Sequence, residues 1–302
     1  MMWRYKMRYM MKQVFLVILL AFGFVAGAQN ATMRKPKKQK PATTQVAPKK
    51  HKSQSKPTKG GTVKRVATKA SFSNGTLTVN GIKYNMVWVD GGTFRMGATS
   101  EQGSDAWNSE KPVHSVTLSG YYIGKTEVTQ SLWKAVMGSN PSRFEGDNLP
   151  VEFVSWDDCQ EFIRKLNALI GQNFRLPTEV EWEFACRGGN NSRGYKYSGS
   201  NYIDNVAWYY GNSGEKTLPV ATKSPNELGI YDMSGNVWEW CSDWYGDYSS
   251  SAQTNPKGPY DGSYRVSRGG GWCDNARNCR SSIRDCGVQD CRDYFLGLRL
   301  AL

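Results

Sequence analysis

The sequence predicts a loop-rich α+β domain, and three observations carry that prediction. Short alternating β-like runs, broken by Asn-Gly and Gly-Gly pairs, open the folded part. Short helical stretches with clear capping residues follow them. From Gly188 to the end the chain is rich in Gly, Asn, Ser and Tyr and has few periodic runs. Strands, then helices, then long irregular stretches describe an α+β fold with much ordered loop.

The elements follow in chain order. In "SFSNGTLTVNGIKYNMVWVDGGTFRMG" the pairs Asn74-Gly75, Asn80-Gly81 and Gly91-Gly92 are hairpin signals. His114 falls in the alternating run "VHSVTLSGYYI" and reads as a strand residue. "TQSLWKAVMG" (129–138) is a short helix capped by Thr129, with Asn140-Pro141 after its stop. "SWDDCQEFIRKLNALIG" (155–171) is the clearest helix. Ser155 caps it, Asp157 and Asp158 favour the positive end of its dipole, and Gly171 ends it. Phe162, Ile163, Leu166, Leu169 and Ile170 make its apolar stripe, and Cys159 joins that side as a small buried hydrophobe. "TEVEWEFACRGG" (178–189) is a second short helix, with Thr178 and Glu181 spaced as a capping box. "SRGGGW" and the terminal "FLGLRLAL" read as strands.

The N-terminal part contributes no folded domain. Arg4, Lys6, Arg8 and Lys12 precede "VFLVILLAFGFVAGA", which ends in Ala26-Gly27-Ala28. A basic region, an apolar run of about 15 residues and a small-residue site describe a signal peptide over 1–28, short for a membrane span. Residues 29–69 form a basic linker, expected to be disordered because it holds thirteen Lys/Arg, no acid and no aromatic residue. The chain as a whole has a net charge of +13. Setting aside those thirteen and the four basic residues of the signal region leaves 22 basic against 26 acidic residues, a net of −4, for the domain at 70–302. The basicity therefore sits in the tail. With export expected, the tail reads as a tether against anionic envelope polymers or lipid headgroups, and not as a nucleic-acid arm.

Seven cysteines lie in the folded part: Cys159, Cys186, Cys241, Cys273, Cys279, Cys286 and Cys291. Export permits disulfides, and an odd count leaves at least one thiol over. No CxxC occurs, which removes zinc-knuckle and thioredoxin-like chemistry. The only histidines are His51 and His114, so no site on the fold uses two of them. A loop-rich domain needs something to hold its turns. "GIYDMSGNVWEWCSDWY" offers it: Asp232 and Glu239 are hard oxygen ligands around a Ser234-Gly235-Asn236 turn, and calcium takes six to eight oxygens from carboxylates and carbonyls. An ordinary turn flanked by aromatics is the competing reading.

Seven motifs in order resemble one family. "VDGGTFRMG", "EVTQSLW", "PVEFVSWDDCQEF", "FRLPTEVEWEFACRGG", "NELGIYDMSGNVWEW", "RVSRGGGW" and "LGLRLA" look like the formylglycine-generating enzyme family, the sulfatase-modifying factor domain, from about residue 86 to 302. The resemblance implies a sulfatase-modifying-factor fold related to the C-type lectin fold. It implies a calcium held by Asp232 and Glu239 through side chains and by Gly235 and Val237 through carbonyls. It implies a second calcium at Asn205-Val206, whose further ligands would fall in "YYGNSGEKTLPV", a stretch shorter here.

The founding activity of the family oxidises a sulfatase cysteine to formylglycine with O₂ and copper held by two cysteines, a soft ligand set that suits copper(I). The family signature is Gly-Gly-Ser-aromatic-x-Cys-x4-Cys. Here "GGGWCDNARNC" places Cys279 in register, puts Asp274 at the first catalytic position with Cys273 one residue early, and has Gly271 for the serine. "CRSSIR" likewise lacks the family's downstream Cys-x-Arg-aromatic-Arg run. The resemblance also points to a Cys186–Cys286 disulfide, leaving Cys291 to pair with Cys279 or stay reduced. Two readings follow: a non-catalytic, calcium-stabilised module for binding a protein or peptide or for envelope assembly, or a copper-dependent oxidase using Cys273 and Cys279. A third branch of the family, iron enzymes with several histidine ligands, is closed by the histidine count. The departure at Asp274 favours the first.

Overall fold

The computed structural model describes residues 69–302. The expected signal peptide and all but the last residue of the basic linker lie outside the described residues. The domain is α+β, as predicted, and its strands form three separate sheets.

The first sheet grows from the N-terminal hairpins. Strands β1 (Ala70–Ser73), β2 (Thr76–Val79) and β3 (Ile82–Val89) are antiparallel neighbours. Asn74 and Gly75 have φ of 50° and 72°, and Asn80 and Gly81 have 51° and 87°. Both central residues in the left-handed region is what a two-residue hairpin matching strand twist requires. β6 (Tyr121–Gly124) completes this sheet beside β3. Gly91-Gly92 does not make the expected hairpin. Strand β4 (Gly92–Met96) leaves β3 and pairs with β5 (His114–Leu118) in a second sheet, closed by β8 (Gln253–Thr254). The two glycines serve close approach: a Cβ on Gly91 would meet the Leu118 carbonyl at 2.5 Å, and one on Gly92 would meet Asn190 at 2.0 Å. His114 is a buried strand residue, as expected.

The three helices sit where their caps predict. In α1 (Gln130–Met137) the Thr129 hydroxyl accepts from the Leu132 N–H, and Gly138 ends the helix at φ 83°. In α2 (Trp156–Ile170) Ser155 and Asp158 form a capping box, and Gly171 ends it at φ 70°. In α3 (Glu179–Cys186) the Thr178–Glu181 box forms, although the helix stops at Cys186, earlier than the sequence pattern extends. Cys159, Phe162, Ile163 and Leu166 are buried on α2, and Trp133 of α1 stacks on Phe162 at 4.8 Å. Each such side chain contributes roughly 1.5–3 kcal/mol of burial. This core runs under β2 and β3, and a second gathers around α3, β4 and β5.

The third sheet carries the sites of interest. Its order is β10 (Arg284–Gly287), β9 (Arg265–Arg268), β7 (Trp238–Trp244) and β11 (Leu296–Leu298), with β11 parallel to β7. "SRGGGW" is strand only to Arg268. After β11 the C-terminal residues bond to the first sheet, with Gly124 N–H donating to Leu300 O (2.8 Å) and Tyr122 N–H to Leu302 O (3.1 Å). The chain also buries charge: Arg268, Arg280, Arg284 and Arg299 are all buried and ion-paired to Glu183, Glu110, Glu179 and Glu239. No helix among the described residues is long and apolar enough to cross a membrane.

Candidate functional site

The turn before β7 runs through left-handed backbone beside buried carboxylates. Asp232, Gly235 and Asn236 have φ of 59°, 85° and 59°, so the chain reverses through left-handed residues just ahead of Glu239. Gly235 is required by contact too, because a Cβ there would meet the Trp208 carbonyl at 2.3 Å. Asp232, Val237 and Glu239 are buried, and so is Glu127, which motif reading did not select. Glu127 lies just before α1 and reaches the turn from the other side: it accepts from the Asn236 side-chain amide (3.2 Å) and the Val237 N–H (3.4 Å). Nothing local in "EVTQSLW" marks this glutamate out, because its partners lie more than a hundred residues away.

Charge at this turn is unbalanced. Burial pushes the Glu127 carboxyl well above its usual value, and the charges of Asp232 and Glu239 push it further. Burial raises Asp232 to about 6, with Glu239 adding to the rise. One cation, Arg299, offsets them, and it spends itself on Glu239 at 2.7 Å and 3.0 Å. Trp182 Nε1 donates to the second Glu239 oxygen at 2.7 Å. Asp232 accepts the Ala221 N–H at 2.7 Å. Among the described residues no three His, Cys, Asp or Glu side chains converge as a metal-holding group by themselves. Any cation here therefore relies on carbonyls as well as carboxylates, the mixed oxygen set that suits calcium. An excess of buried carboxylate over cation is the observation that fits the group.

The other candidate calcium pair is arranged differently. Asn205 and Val206 lie in a short turn of helix, α4 (Ile203–Val206). The Asn205 carbonyl accepts the Ser224 N–H at 2.9 Å, and its side-chain amide faces Ser200 Oγ at 3.5 Å.

The glycine-rich segment after β9 carries Asp274, Cys273 and Cys279, which differ in burial. Asp274 is buried, and its Oδ2 accepts from Trp238 Nε1 (2.7 Å) and the Gly271 N–H (3.0 Å). Its Oδ1 accepts from the Asn278 amide at 3.2 Å. The carboxylate in the first catalytic position thus ties a turn together. Cys279 is fully buried with Tyr197 and Val206, and a Cβ on Gly270 would meet its sulfur at 2.9 Å. Cys273 is half-buried. None of the seven cysteines is in a disulfide, so the expected Cys186–Cys286 bridge is corrected. Cys186 ends α3 with its sulfur against the Met233 carbonyl at 3.7 Å, while Cys286 sits on β10 among Arg284, Asp285 and Glu179.

Beside Cys273 lies a surface of aromatic rings and arginine. Trp272 packs edge-on to Phe144 at 5.4 Å, and Phe153 stacks on Tyr294 at 4.7 Å. The Arg143 guanidinium lies 4.8 Å from the Tyr294 ring. The loop bearing Arg143 and Phe144 is held from inside. Gln130 donates to the Phe144 and Pro150 carbonyls at 2.7 Å and 3.1 Å, and Glu152 accepts the Phe144 N–H at 2.9 Å. Burial raises Glu152 to about 7.

Comparison with known proteins agrees with this arrangement. Residues 76–302 match the sulfatase-modifying factor enzyme 1-like domain. A relative in Paenibacillus barcinonensis named chaperone protein LppX is 36% identical, over 70% of this chain and 86% of that protein. The formylglycine-generating enzyme of Streptomyces coelicolor is 30% identical, over 71% of this chain and 88% of that protein. Among solved structures, Treponema denticola variable protein 1 aligns at 35% identity and a TM-score of 0.68, covering 75% of this chain and 97% of that one. PvdO from Pseudomonas aeruginosa aligns at 25% identity and a TM-score of 0.60, covering 72% and 93%.

Proposed function

Since the chain belongs to the sulfatase-modifying factor enzyme 1-like domain family, we propose that it is an exported, non-catalytic member, stabilised by calcium at the Asp232 turn, that binds a protein or peptide partner. The observation that carries this reading is the state of the two catalytic positions. Asp274 spends its carboxylate on three N–H groups, and Cys279 is closed in beneath Gly270. A copper(I) site needs two soft sulfurs open to one ion, and a carboxylate at the first catalytic position with a buried thiol at the second supports the non-catalytic reading.

Calcium fits better than copper. Asp232 and Glu239, with the carbonyls of Gly235 and Val237, would hold it beside the buried Glu127, and its contribution would be neutralisation of buried charge and not catalysis. The partner surface is assigned to Arg143, Phe144, Phe153, Trp272 and Tyr294, because Trp, Tyr and Arg dominate binding energy at protein interfaces. Export rests on the N-terminal basic and apolar pattern, and the basic linker would then meet anionic envelope material.

The competing reading is a copper-dependent oxidase, which the half-buried position of Cys273 beside the family's cysteine segment supports. One assay separates the two. The full chain is titrated with copper(I) and offered a cysteine peptide of sulfatase type under O₂, with Cys279→Ser as control. The binding-module reading expects neither tight copper binding nor peptide oxidation. Turnover that Cys279→Ser abolishes would establish the oxidase instead.

A further inference from the structure

We infer that the loop of residues 203–224 carries its own cation, the Lys223 ammonium, in place of the second calcium that the family resemblance implies at Asn205-Val206. The residues present do not fit calcium. The Asn205 carbonyl is taken by the Ser224 N–H at 2.9 Å. The Asp204 carbonyl is taken by Lys223 Nζ at 2.6 Å, and Asp204 Oδ1 accepts from the Asn212 amide at 3.2 Å. Between Trp208 and Ser224 the only acid is Glu215. With one acid in that stretch and the Asp204 and Asn205 carbonyls already accepting hydrogen bonds, the loop is a poor donor set for a divalent ion that takes six to eight oxygens.

Lys223 supplies what a metal would otherwise supply, a positive centre that gathers the loop. Its ammonium lies 4.1 Å from the centre of the Trp208 ring while donating to the Asp204 carbonyl, so one group ties α4 to the residue just beyond it. A compact ammonium with three donors suits a carbonyl and an aromatic face together. Trp208 is also the residue on which the Asp232 turn rests: its carbonyl accepts the Asn236 N–H at 2.7 Å, and its indole donates to Thr222 at 2.8 Å. Lys223 therefore fixes the platform under the calcium turn without needing calcium itself. The stoichiometry expected here rests on the calcium reading of the Asp232 turn; the role of Lys223 does not.

The test uses the full chain, with bound calcium counted after equilibrium dialysis and melting followed in calcium and in EGTA. The wild type should hold at most one calcium per chain. Lys223→Met should lower Tm by roughly 2–6 °C, equally in calcium and in EGTA, and Lys223→Arg should recover part of the loss. Two calcium ions per wild-type chain would overturn the inference. So would a Lys223→Met protein that melts with the wild type, or one whose loss calcium abolishes. A wild type with no calcium would defeat the reading of the Asp232 turn, and the EGTA-independent loss would still support Lys223.

Discussion

At Arg280–Glu110 and Arg284–Glu179 the chain buries charge in pairs, whereas at the Asp232 turn it buries carboxylates in excess. Arg280 gives Glu110 two hydrogen bonds, at 2.6 Å and 2.7 Å, and Arg284 gives Glu179 two at the same lengths. Around Arg299, by contrast, three carboxylates share one guanidinium. The difference teaches where the fold is complete by itself and where it asks for something from solution. Paired charges inside a low-dielectric interior lock geometry and tolerate no loss of a partner. Unpaired ones must take up a proton or a cation.

The paired region should break hardest. Glu110→Ala strands the Arg280 charge in a fully buried site and should cost about 3–5 kcal/mol in urea unfolding. The double variant Glu110→Leu with Arg280→Met should cost less than that single change, because it leaves no lone charge. Equal losses for both would show that geometry, and not charge pairing, dominates there.

The unpaired region should respond to calcium. Saturating calcium at a hundredfold its Kd should add about 2.7 kcal/mol, read as a melting point that rises with calcium. Asp232→Asn and Glu127→Gln should each shrink that rise. The same change made by magnesium at equal concentration, or no change with calcium, would count against a calcium site.

The same contrast marks what the sequence disclosed. Caps and turns were legible because each is local: Thr129, Ser155 and Thr178 act within three residues, and both Asn-Gly pairs turn as their φ preferences demand. Gly91-Gly92 misled because glycine serves close packing as well as turning, and only the facing Leu118 and Asn190 show which. Asp232 and Glu239 could be chosen from spacing, yet Glu127 could not, since it arrives from before α1, far from the turn in sequence. The one-residue slip at Asp274 was visible in the register. That its carboxylate binds the Trp238 indole was not, because the partner lies on another element. The Cys186–Cys286 pairing failed for the same reason: sequence order says nothing of which face a thiol takes.

A single carboxylate places the comparison on a pH scale. Asp243 is buried beside Glu179, and burial first, then that charge, raises it to about 7. The folded chain therefore keeps a proton that the unfolded chain releases near pH 4. Stability from this group falls as pH rises from about 4 to about 7 and is level above that. Asp243→Asn removes the penalty. It should be more stable than the wild type by about 2 kcal/mol at pH 8, with the gap closing towards pH 4. A gap that does not change with pH would place the effect in packing.

At the surface the same pairing is worth least. Arg292 makes two hydrogen bonds to Asp158, at 2.6 Å and 2.8 Å, a geometry as good as that of the buried pairs. Both side chains are partly exposed, at 42% and 31%, so water and salt already solvate the charges when the pair opens. Arg292→Ala should therefore cost under about 1 kcal/mol and lose even that in high salt. Asp158→Ala should cost more, because the same carboxylate accepts the Ser155 N–H at 2.9 Å and completes the α2 cap. The excess of the second variant over the first measures the cap alone. Arg292→Ala costing as much as the buried Glu110→Ala would mean that geometry outweighs burial in this protein, and the contrast between its two regions would lose its physical basis.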